Sequence, residues 1–400
     1  MANTLKFGSG QWATKVGSTL AYNDEGGNFK PLPFNFTRST GGTRVNKDGL
    51  IEVVTNNKPR IDFLNDSNGA LLLEPTRTNL ITYSEDFSNA AWTKSVNTEI
   101  SANATTSPDG IQNADTITWS TSGSTTQLYQ VKSTTGTSQS LSLFVKYISG
   151  SGTNFLFSIG TIADASINLT FTNSGATLTG VAGVDVTSYK IEDYGNNWFR
   201  VSFAANYAAG SAEFNVYRPS GTGTDVYAIY GAQLESSASY ATSYIPTQGA
   251  TATRVAEVCN QTPPSGIIGQ TEGTLFLDFV AQTTTTAQSH IWLGAVGSEI
   301  GVYGTSSFQF YSSGGVNIGG GAFVTGQRYK IAFAYKANDY VAYVNGVQKG
   351  TDTSATVPAT SALYINSYSD FTEIQKKEVN QALLFKTRLT NAELQSLTQI

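Results

Sequence analysis

The stretch RYKIAFAYKANDYVAYVNGVQKG, residues 328–350, decides the fold of the last third of the chain. Alternate positions in 329–335 are large and apolar, a period of two that indicates a strand with one face in a core. Asn345 and Gly346 then supply the two residues with positive φ that a type I′ turn requires. The stretch therefore predicts two antiparallel strands joined by a tight hairpin.

Composition extends this prediction to the whole chain. Charged residues make up 13% of the 400 residues, aromatics make up 12%, and there are 39 glycines. Strands and tight turns are rich in Thr, Ser, Asn, Gly and aromatic residues, which are abundant in this sequence. The aromatic residues are also numerous enough to build hydrophobic cores. A chain of this length exceeds one compact core, so about two or three all-β domains are expected.

Charge and residue counts exclude several classes of function. The net charge is -5 and no basic run is present, so nucleic-acid binding and binding to anionic membranes have no electrostatic basis. A single cysteine, Cys259, excludes an internal disulfide framework and a Cys-rich zinc site. No apolar run approaches the roughly 20 residues of a membrane span, so no membrane insertion is expected. The polar start MANTLKFGSG predicts a soluble protein with no signal peptide, made in a cytoplasm.

The first segment, residues 1–70, carries isolated aromatics among Gly and Pro without a sustained period. We predict an irregular N-terminal arm whose aromatics dock either on the later domains of the chain or on a partner chain. Short strands are expected at 49–54 and 60–64, near the end of this arm.

The remaining sequence predicts two sandwiches and a linker. Residues 71–250 contain short strands at regular spacing with turn clusters between them, which favours a jelly roll of about eight strands. Residues 251–270 contain a Pro-Pro-Ser-Gly break and are predicted to be a linker. Residues 271–400 form a second β-sandwich. A capping box at Thr390 and Glu393 predicts one short C-terminal helix.

The C-terminal third resembles a known family. GQRYKIAFAY (326–335), YVNGV (343–347) and the segment from LLF to LTNAEL (383–394) occur in this order. They resemble the concanavalin A-like, laminin-G-type sandwich over about 130 residues. This resemblance implies a concanavalin A-like β-sandwich at the C-terminus.

The first two thirds resemble virion proteins of tailed phages. The resemblance rests on FNFTRSTGGTRVNKDGLIE (34–52), on the segment 71–95, on SPDGIQNADTIT (107–118) and on the segment 230–257. The opening segment, LKFGSGQWATK to LAYNDEGGNFKPLPF, is similar to the N-terminal segments of fibre-type proteins in crAss-like phages and related podoviruses. The resemblance implies a head or tail fibre or appendage protein whose middle domain is a jelly roll like a carbohydrate-binding module.

The resemblance implies a position on the virion surface. Residues 1–70 would anchor the chain to other virion proteins, and fibres of this type are usually homotrimers. A Gly- and aromatic-rich arm with no core of its own also needs neighbouring chains to bury it.

The segment LLLEPTRTNLITYSEDFSNAAWTKS, residues 71–95, raises the question of an acid/base site. Glu74, Arg77, Glu85 and Asp86 lie within a dozen residues of one another. We interpret Glu74 and Arg77 as a structural pair at a domain junction, and we place Glu85 and Asp86 in a loop. Such a pair is worth about 1 kcal/mol or less when it is exposed.

Catalytic and metal sites have little support elsewhere in the sequence. Glycan hydrolysis needs two carboxylates that flank the scissile bond, and no E-x-D-x-x-E strand pattern is present. Glu272 and Asp278 stand six residues apart with no third acid in phase, and the only histidine, His290, begins a strand. We therefore expect no catalytic residues, no enzymatic activity, no cofactor and no metal, with calcium left open.

A glycan platform is the one ligand site that the sequence indicates. Sugar binding needs exposed aromatic rings beside amide or carboxylate groups, and Trp292, Tyr303, Tyr311 and Asn366 are the candidates. The alternative is that these alternating aromatics fill the core of the sandwich.

The sequence thus predicts a structural virion protein that binds host or environmental glycans, assembled in the host cytoplasm. A capsid decoration protein with a purely structural role and a polysaccharide depolymerase are the alternatives.

Overall fold

A computed structural model describes most of the chain and divides it into two compact units. The described residues are 5–23, 30–123, 125–161, 163–183, 185–219, 221–261, 266–282, 284 and 286–400. Unit 1 comprises Met1–Lys47, Val53–Thr76 and Val255–Ile400. Unit 2 comprises Asp48–Glu52 and Arg77–Arg254, so its main segment is inserted into the sequence of unit 1.

The predicted all-β class is confirmed. Strands up to residue 76 are β1 (Leu5–Gly8), β2 (Ala13–Lys15), β3 (Ser18–Asn23), β4 (Lys30–Thr37), β5 (Gly42–Val45), β6 (Ile51–Val54), β7 (Arg60–Asp62) and β8 (Ala70–Leu73). Those between residues 77 and 254 are β9 (Arg77–Asn79), β10 (Thr93–Lys94), β11 (Thr98–Thr105), β12 (Ala114–Trp119), β13 (Thr126–Thr134), β14 (Gln139–Ser149), β15 (Phe155–Ile159), β16 (Ala165–Thr172), β17 (Gly175–Ala182), β18 (Val186–Asp193), β19 (Phe199–Ala205), β20 (Gly210–Arg218), β21 (Asp225–Ser236) and β22 (Ala252–Arg254).

The last part of the chain returns to unit 1. Its elements are β23 (Val258–Gln261), β24 (Glu272–Val280), β25 (Gln288–Ala295), β26 (Ser298–Gly304), β27 (Ser307–Ser312), β28 (Val316–Ala322), β29 (Arg328–Lys336), β30 (Tyr340–Val344), β31 (Val347–Asp352), β32 (Leu363–Ile365), β33 (Lys377–Phe385) and helix α1 (Asn391–Thr398).

Unit 1 is one continuous antiparallel sheet folded into a sandwich. Strand β33 pairs with β24 and also with β1 and β8, so it joins two runs of strands. One run continues through β29, β30 and β31, and the other through β3, β4, β23, β32, β25, β26, β27 and β28. The two runs share one apolar core, in which the rings of Phe310 and Phe333 lie 5.4 Å apart.

The prediction of a separate N-terminal arm is wrong for the described part of residues 1–70. Strand β1 pairs with β33 from Leu5↔Leu384 to Gly8↔Gln381, and β4 pairs with β23. The physical reason is a short alternation that places Phe7, Phe34 and Phe36 in the core with no exposed surface. Burial in the chain's own sandwich removes the argument that this segment needs neighbouring chains.

The predicted linker 251–270 is also corrected where the structure describes it. Strand β23 lies between β4 and β32 within the sheet of unit 1. Cys259 on this strand is a fully buried free cysteine, as expected for a small core residue. The unit boundary therefore falls before β23, near Val255, rather than after residue 270.

Unit 2 is a sandwich of two six-stranded antiparallel sheets. The strand orders are β10-β13-β20-β15-β16-β17 and β11-β12-β21-β14-β19-β18, which exceeds the eight or so strands predicted. Aromatic contacts between the sheets build the core, such as Phe157 with Phe203 at 5.3 Å. The short strands β9 and β22 pair from Ala252↔Asn79 to Arg254↔Arg77, which joins the two ends of the inserted segment.

Two local predictions are confirmed in unit 1. Asn345 and Gly346 connect β30 and β31 with φ angles of 47° and 76°, as the type I′ turn requires. Helix α1 begins at the N-cap Thr390, whose hydroxyl accepts a hydrogen bond from the Glu393 backbone while the Glu393 side chain caps Thr390 in return.

A buried ion network lies where the chain of unit 1 is interrupted. Arg38 Nη1 lies 2.7 Å from Glu257 Oε1, and Arg60 contacts both Glu257 and Glu74, the latter at 3.0 Å. All four side chains are fully buried. The network corrects the predicted Glu74–Arg77 pair, because Glu74 binds Arg60 while Arg77 stacks on the ring of Tyr240.

The network also joins the segment just before the inserted unit 2 to the segment just after it. The Glu74 backbone N–H donates to Glu257 Oε2 at 3.0 Å, and the Glu257 N–H donates to the Glu74 carbonyl at 3.1 Å. Burial lowers the pKa of Arg60, but Glu257 and Glu74 outweigh it, so the net pKa is raised and the guanidinium stays charged. The charges of two arginines and two glutamates therefore compensate each other at a site from which water is excluded.

We expect Glu257→Gln to lower the free energy of unfolding by about 3–5 kcal/mol, because it leaves buried arginine charge without its partner. The control is Glu272→Gln, which removes a partly exposed partner 3.7 Å from Lys336 and should cost about 1 kcal/mol or less. Urea unfolding followed by tryptophan fluorescence measures both variants. Equal losses in the two variants would contradict a central role for the network.

Candidate functional site

Three of the four predicted platform residues lie together on the outer surface of unit 1. Trp292, Tyr303 and Tyr311 project from β25, β26 and β27, opposite the side that carries the core. Tyr364 on β32 and Tyr368 after it complete the cluster. We call these five residues the aromatic face.

A glycine shapes the centre of the aromatic face. Gly301 lies between Trp292 on β25 and Tyr311 on β27 in the sheet register. A Cβ at this position would stand 2.0 Å from the Trp292 ring, so only glycine lets the indole lie against the strand. The sequence places the large ring beside the one residue that leaves room for it.

The rings of the aromatic face are in mutual contact. The Trp292 and Tyr311 rings are nearly parallel, at 9° with centroids 6.1 Å apart, and the Tyr368 ring packs edge-on to Trp292 at 5.0 Å. Trp292 is only 3% exposed, whereas Tyr303, Tyr311 and Tyr368 are half-buried. The accessible part of the aromatic face therefore consists of the three tyrosines that surround a buried indole.

Polar groups border these rings. The Tyr368 hydroxyl donates to the carboxylate of Glu299, which is itself largely buried. The indole N–H of Trp292 has no hydrogen-bond acceptor among the described residues.

The fourth predicted residue, Asn366, lies in a different environment. Its side chain is fully buried, donates to the Gln375 carbonyl at 2.6 Å and accepts from Lys377 Nζ at 2.6 Å. Gln288 Oε1 is the second acceptor for Lys377, at 3.0 Å. Asn366 thus supplies a hydrogen-bond acceptor to the buried Lys377 and is not available at the aromatic face. Burial holds the pKa of Lys377 well below its usual range.

His290 is a core residue close to this lysine. Its ring is fully buried and lies 5.0 to 5.6 Å from the rings of Phe279, Phe308 and Phe323. Neither ring nitrogen has a partner among the described residues. Burial, followed by the charge of Lys377, holds the pKa of His290 well below its ordinary value, so the ring is neutral.

Unit 2 contains a polar cavity that the sequence did not indicate. Its volume is about 550 Å³, and we call it the acidic cavity. It is formed by the loop after β9, by β11, by the start of β12 and by the segment after β21. The lining residues are Tyr83, Glu85, Asp86, Ser88, Ala102, Asn103, Asn113, Asp115, Pro246, Thr247 and Gln248.

Glu85 is held by two tyrosine hydroxyls at the acidic cavity. Its Oε1 atom accepts hydrogen bonds from the hydroxyls of Tyr230 and Tyr244, both at 2.9 Å. Burial outweighs these two bonds and raises the pKa of Glu85, with the nearby Asp109 adding to the effect. The arrangement keeps a carboxyl in a fixed orientation and makes it easier to protonate.

The other two carboxyls are bound by neutral donors. Asp115 is buried and accepts backbone N–H groups of Phe87 and Asn103 at 2.8 and 2.9 Å, yet burial still raises its pKa. Asp86 is exposed and accepts the Ser88 hydroxyl at 2.6 Å. Glu85 and Asp86 therefore lie in a loop, as predicted, but this loop forms the wall of a cavity.

The described ranges contain neither a cluster of metal ligands nor a membrane-spanning helix. No group of three or more His, Cys, Asp or Glu side chains in the described ranges is arranged to hold a metal ion. Helix α1, with eight residues, is too short to cross a bilayer, and the described residues contain no helix that could.

Comparisons with known proteins give matches to solved structures at low sequence identity and low TM-score. No protein family and no curated protein matches the sequence. The carbohydrate-binding module CBM40 of the Ruminococcus gnavus IT-sialidase is 15% identical, with a TM-score of 0.29 over 33% of this chain and 84% of that one. The mouse laminin α1 domains LG4-5 are 12% identical, with a TM-score of 0.23 over 74% of this chain and 89% of that one.

The expectation of a protein without enzymatic activity is corrected by a third similar structure. The Trypanosoma rangeli sialidase in complex with sialic acid is 11% identical, with a TM-score of 0.29 over 95% of this chain and 65% of that one. An enzyme is thus among the structural neighbours, and the exclusion of enzymatic activity is withdrawn. Similarity at this level assigns no reaction, substrate or catalytic residue. Nothing in these comparisons indicates a phage protein, so the virion assignment stays a prediction.

The state of His290 leads to a prediction about acid stability. The unfolded chain takes up a proton on this residue as pH falls through about 6.5, whereas the folded chain does not until a much lower pH. The free energy of unfolding therefore decreases below that pH, with a slope of up to about 1.4 kcal/mol per pH unit from this group. We expect His290→Phe to remove this contribution, so that its stability advantage over the parent grows from pH 7 to pH 5. Parallel stability curves, measured by urea unfolding at each pH, would contradict a neutral buried His290.

Proposed function

We propose that this protein binds glycans through the aromatic face of unit 1 and acts at the surface of a tailed-phage virion. The observation that supports glycan binding is the cluster of half-exposed Tyr303, Tyr311 and Tyr368 around Trp292 on the outer side of the sheet. Aromatic side chains combine a flat apolar area with polar edges, and a sugar ring presents an apolar face and polar rim that match them.

Hydrogen-bonding groups at the edges of the aromatic face can orient a bound sugar. The largely buried Glu299 carboxylate accepts the Tyr368 hydroxyl and so fixes the orientation of that ring at the edge of the aromatic face. The phenol hydroxyls of Tyr303 and Tyr311 can donate or accept. Rigid strands β25, β26 and β27 hold these groups, so little conformational entropy is lost when a ligand binds.

The virion part of the proposal rests on the four sequence segments that resemble phage fibre and appendage proteins. Attachment to other virion proteins and a homotrimeric state are proposed on the same basis. Since the described N-terminal strands are part of the sandwich of unit 1, attachment would use exposed surfaces of that sandwich instead of a free arm.

A second candidate function is cleavage of a bound glycan in the acidic cavity. One observation favours it, namely that burial raises the pKa of the oriented Glu85 carboxyl beside further carboxylates. Glycosidases need one carboxylic acid to assist the leaving group and a second, ionised carboxylate to activate water or attack the sugar, and a raised pKa favours the first role.

Glycan binding is tested with Tyr303→Ala and Tyr311→Ala. The parent protein is screened on a glycan array, and the affinity of the best ligand is measured by calorimetry. Each variant should weaken binding by about tenfold, the effect of one lost aromatic contact. Tyr189→Ala, at a 52% exposed tyrosine of unit 2, is the matched control and should bind like the parent. Unchanged affinity in both aromatic-face variants, or an array without ligands, would refute the proposal.

Cleavage is tested separately by reducing-end release from bacterial capsular polysaccharides. Activity in the parent that falls by about a hundredfold or more in Glu85→Gln would support the second candidate. Activity that persists in Glu85→Gln, or no release from any polysaccharide, would exclude this role for Glu85.

A further inference from the structure

The acidic cavity has a charge pattern that points to a ligand class. Three of its lining residues are acids, Glu85, Asp86 and Asp115, and none of the lining residues is Lys, Arg or His. All of them belong to unit 2, so the cavity is complete within one compact unit. Its lining is therefore acidic without a positive side chain.

Neutral groups alone satisfy these carboxylates. Glu85 is bound by tyrosine hydroxyls, Asp115 by backbone N–H groups and Asp86 by Ser88 and Asn89. No ion pair links any of the three to a cationic side chain within the described residues. Uncompensated carboxylates near low-dielectric walls attract a cation, and they repel an anionic ligand.

A simple metal ion does not fit this arrangement. Hard cations such as Ca²⁺ need several oxygen ligands converging at about 2.3–2.6 Å. Among the described residues no cluster of three acidic or other ligating side chains converges in that way. The carboxylates instead line a space of about 550 Å³, which lies in the range of small-molecule sites.

The rest of the lining suits a polyhydroxylated molecule. The amide side chains of Asn103 and Gln248 are exposed at the cavity and can each donate and accept hydrogen bonds. Tyr83 adds an aromatic ring from a backbone with φ of 60°, an unfavourable conformation for a bulky residue. The Trp92 indole N–H fixes it by donating to the Tyr83 carbonyl at 3.0 Å.

We propose that the acidic cavity binds a sugar unit that carries a free amino group, with its ammonium beside the carboxylates and its hydroxyls on the amide side chains. Charge-assisted bonds from an ammonium to carboxylates are about twice as strong as neutral ones. The same lining disfavours sialic acids, uronic acids and phosphorylated sugars. This site involves other residues and another unit than the aromatic face, so it does not depend on glycan binding there.

The first experiment compares three oligosaccharides by calorimetry on the full chain at pH 7. The probes are the β-1,4-linked disaccharide of glucosamine, its N-acetylated form and sialyllactose. Acetylation should weaken binding by about tenfold or more, because it removes the positive charge, and sialyllactose should not compete for this site. Equal affinity for the free-amine and acetylated forms, or no binding of the free-amine form, would overturn the proposal.

The second experiment places a competing charge at the cavity. Gln248→Lys changes an exposed lining residue, so the fold should tolerate it, and it should weaken binding of the glucosamine disaccharide by about tenfold. Asn173→Lys adds the same charge at an exposed turn of unit 2 that does not line the cavity, and should leave the affinity unchanged.

Tyr189→Ala, at an exposed tyrosine of unit 2 that does not line the cavity, is the aromatic control and should leave the affinity for the glucosamine disaccharide unchanged. No loss of affinity in Gln248→Lys, or an equal loss in Gln248→Lys and Asn173→Lys, would assign the binding to a place other than the acidic cavity.

Discussion

The contact of Arg60 with Glu257 and Glu74 is the constraint on which the organisation of unit 1 depends. Unit 1 is interrupted after Thr76 and resumes at Val255, so its sheet must be completed by chain segments far apart in sequence. The buried network joins Glu74, two residues before the last residue ahead of the interruption, to Glu257, two residues after the chain resumes. Buried ions that lose a partner are costly, so the network penalises any arrangement in which these segments separate.

The continuous sheet explains why the candidate glycan surface can be rigid. Its inner side builds the core, and the outer side of β25, β26 and β27 is left to carry Trp292, Gly301 and Tyr311 in one row across the strands. Unit 2 presents a different kind of surface, a cavity with three acidic side chains that is formed by loops and by strands β11 and β12. The chain thus carries two chemically distinct candidate sites, an aromatic one in unit 1 and an acidic one in unit 2.

Local features could be predicted from the sequence, and distant pairings could not. The Asn345-Gly346 turn and the Thr390 capping box depend on neighbouring residues, so their residue types suffice. Strand β1 has four residues, and its partner β33 lies at the other end of the chain, so its pattern looked irregular.

The same reasoning applies to the sites. Trp292, Tyr303 and Tyr311 lie on successive strands of a meander, which alternation makes predictable. Asn366 has a residue type that suits sugar binding, but its side-chain oxygen accepts a hydrogen bond from the buried Lys377. No local sequence pattern indicates this long-range contact. The acidic cavity draws on four separate stretches of the chain, although Glu85 and Asp86 had raised the question of an acid/base site.

Hydrogen exchange with mass spectrometry on the full chain tests the central claim, that the N-terminal strands and the C-terminal strands form one sandwich. Amides of β1 and β4 should exchange as slowly as those of their partners β33 and β23, and all four should lose protection together in Glu257→Gln. Rapid exchange in β1 and β4 beside a protected β33 would contradict the claim, because it would show that the first strands are not part of the C-terminal sheet.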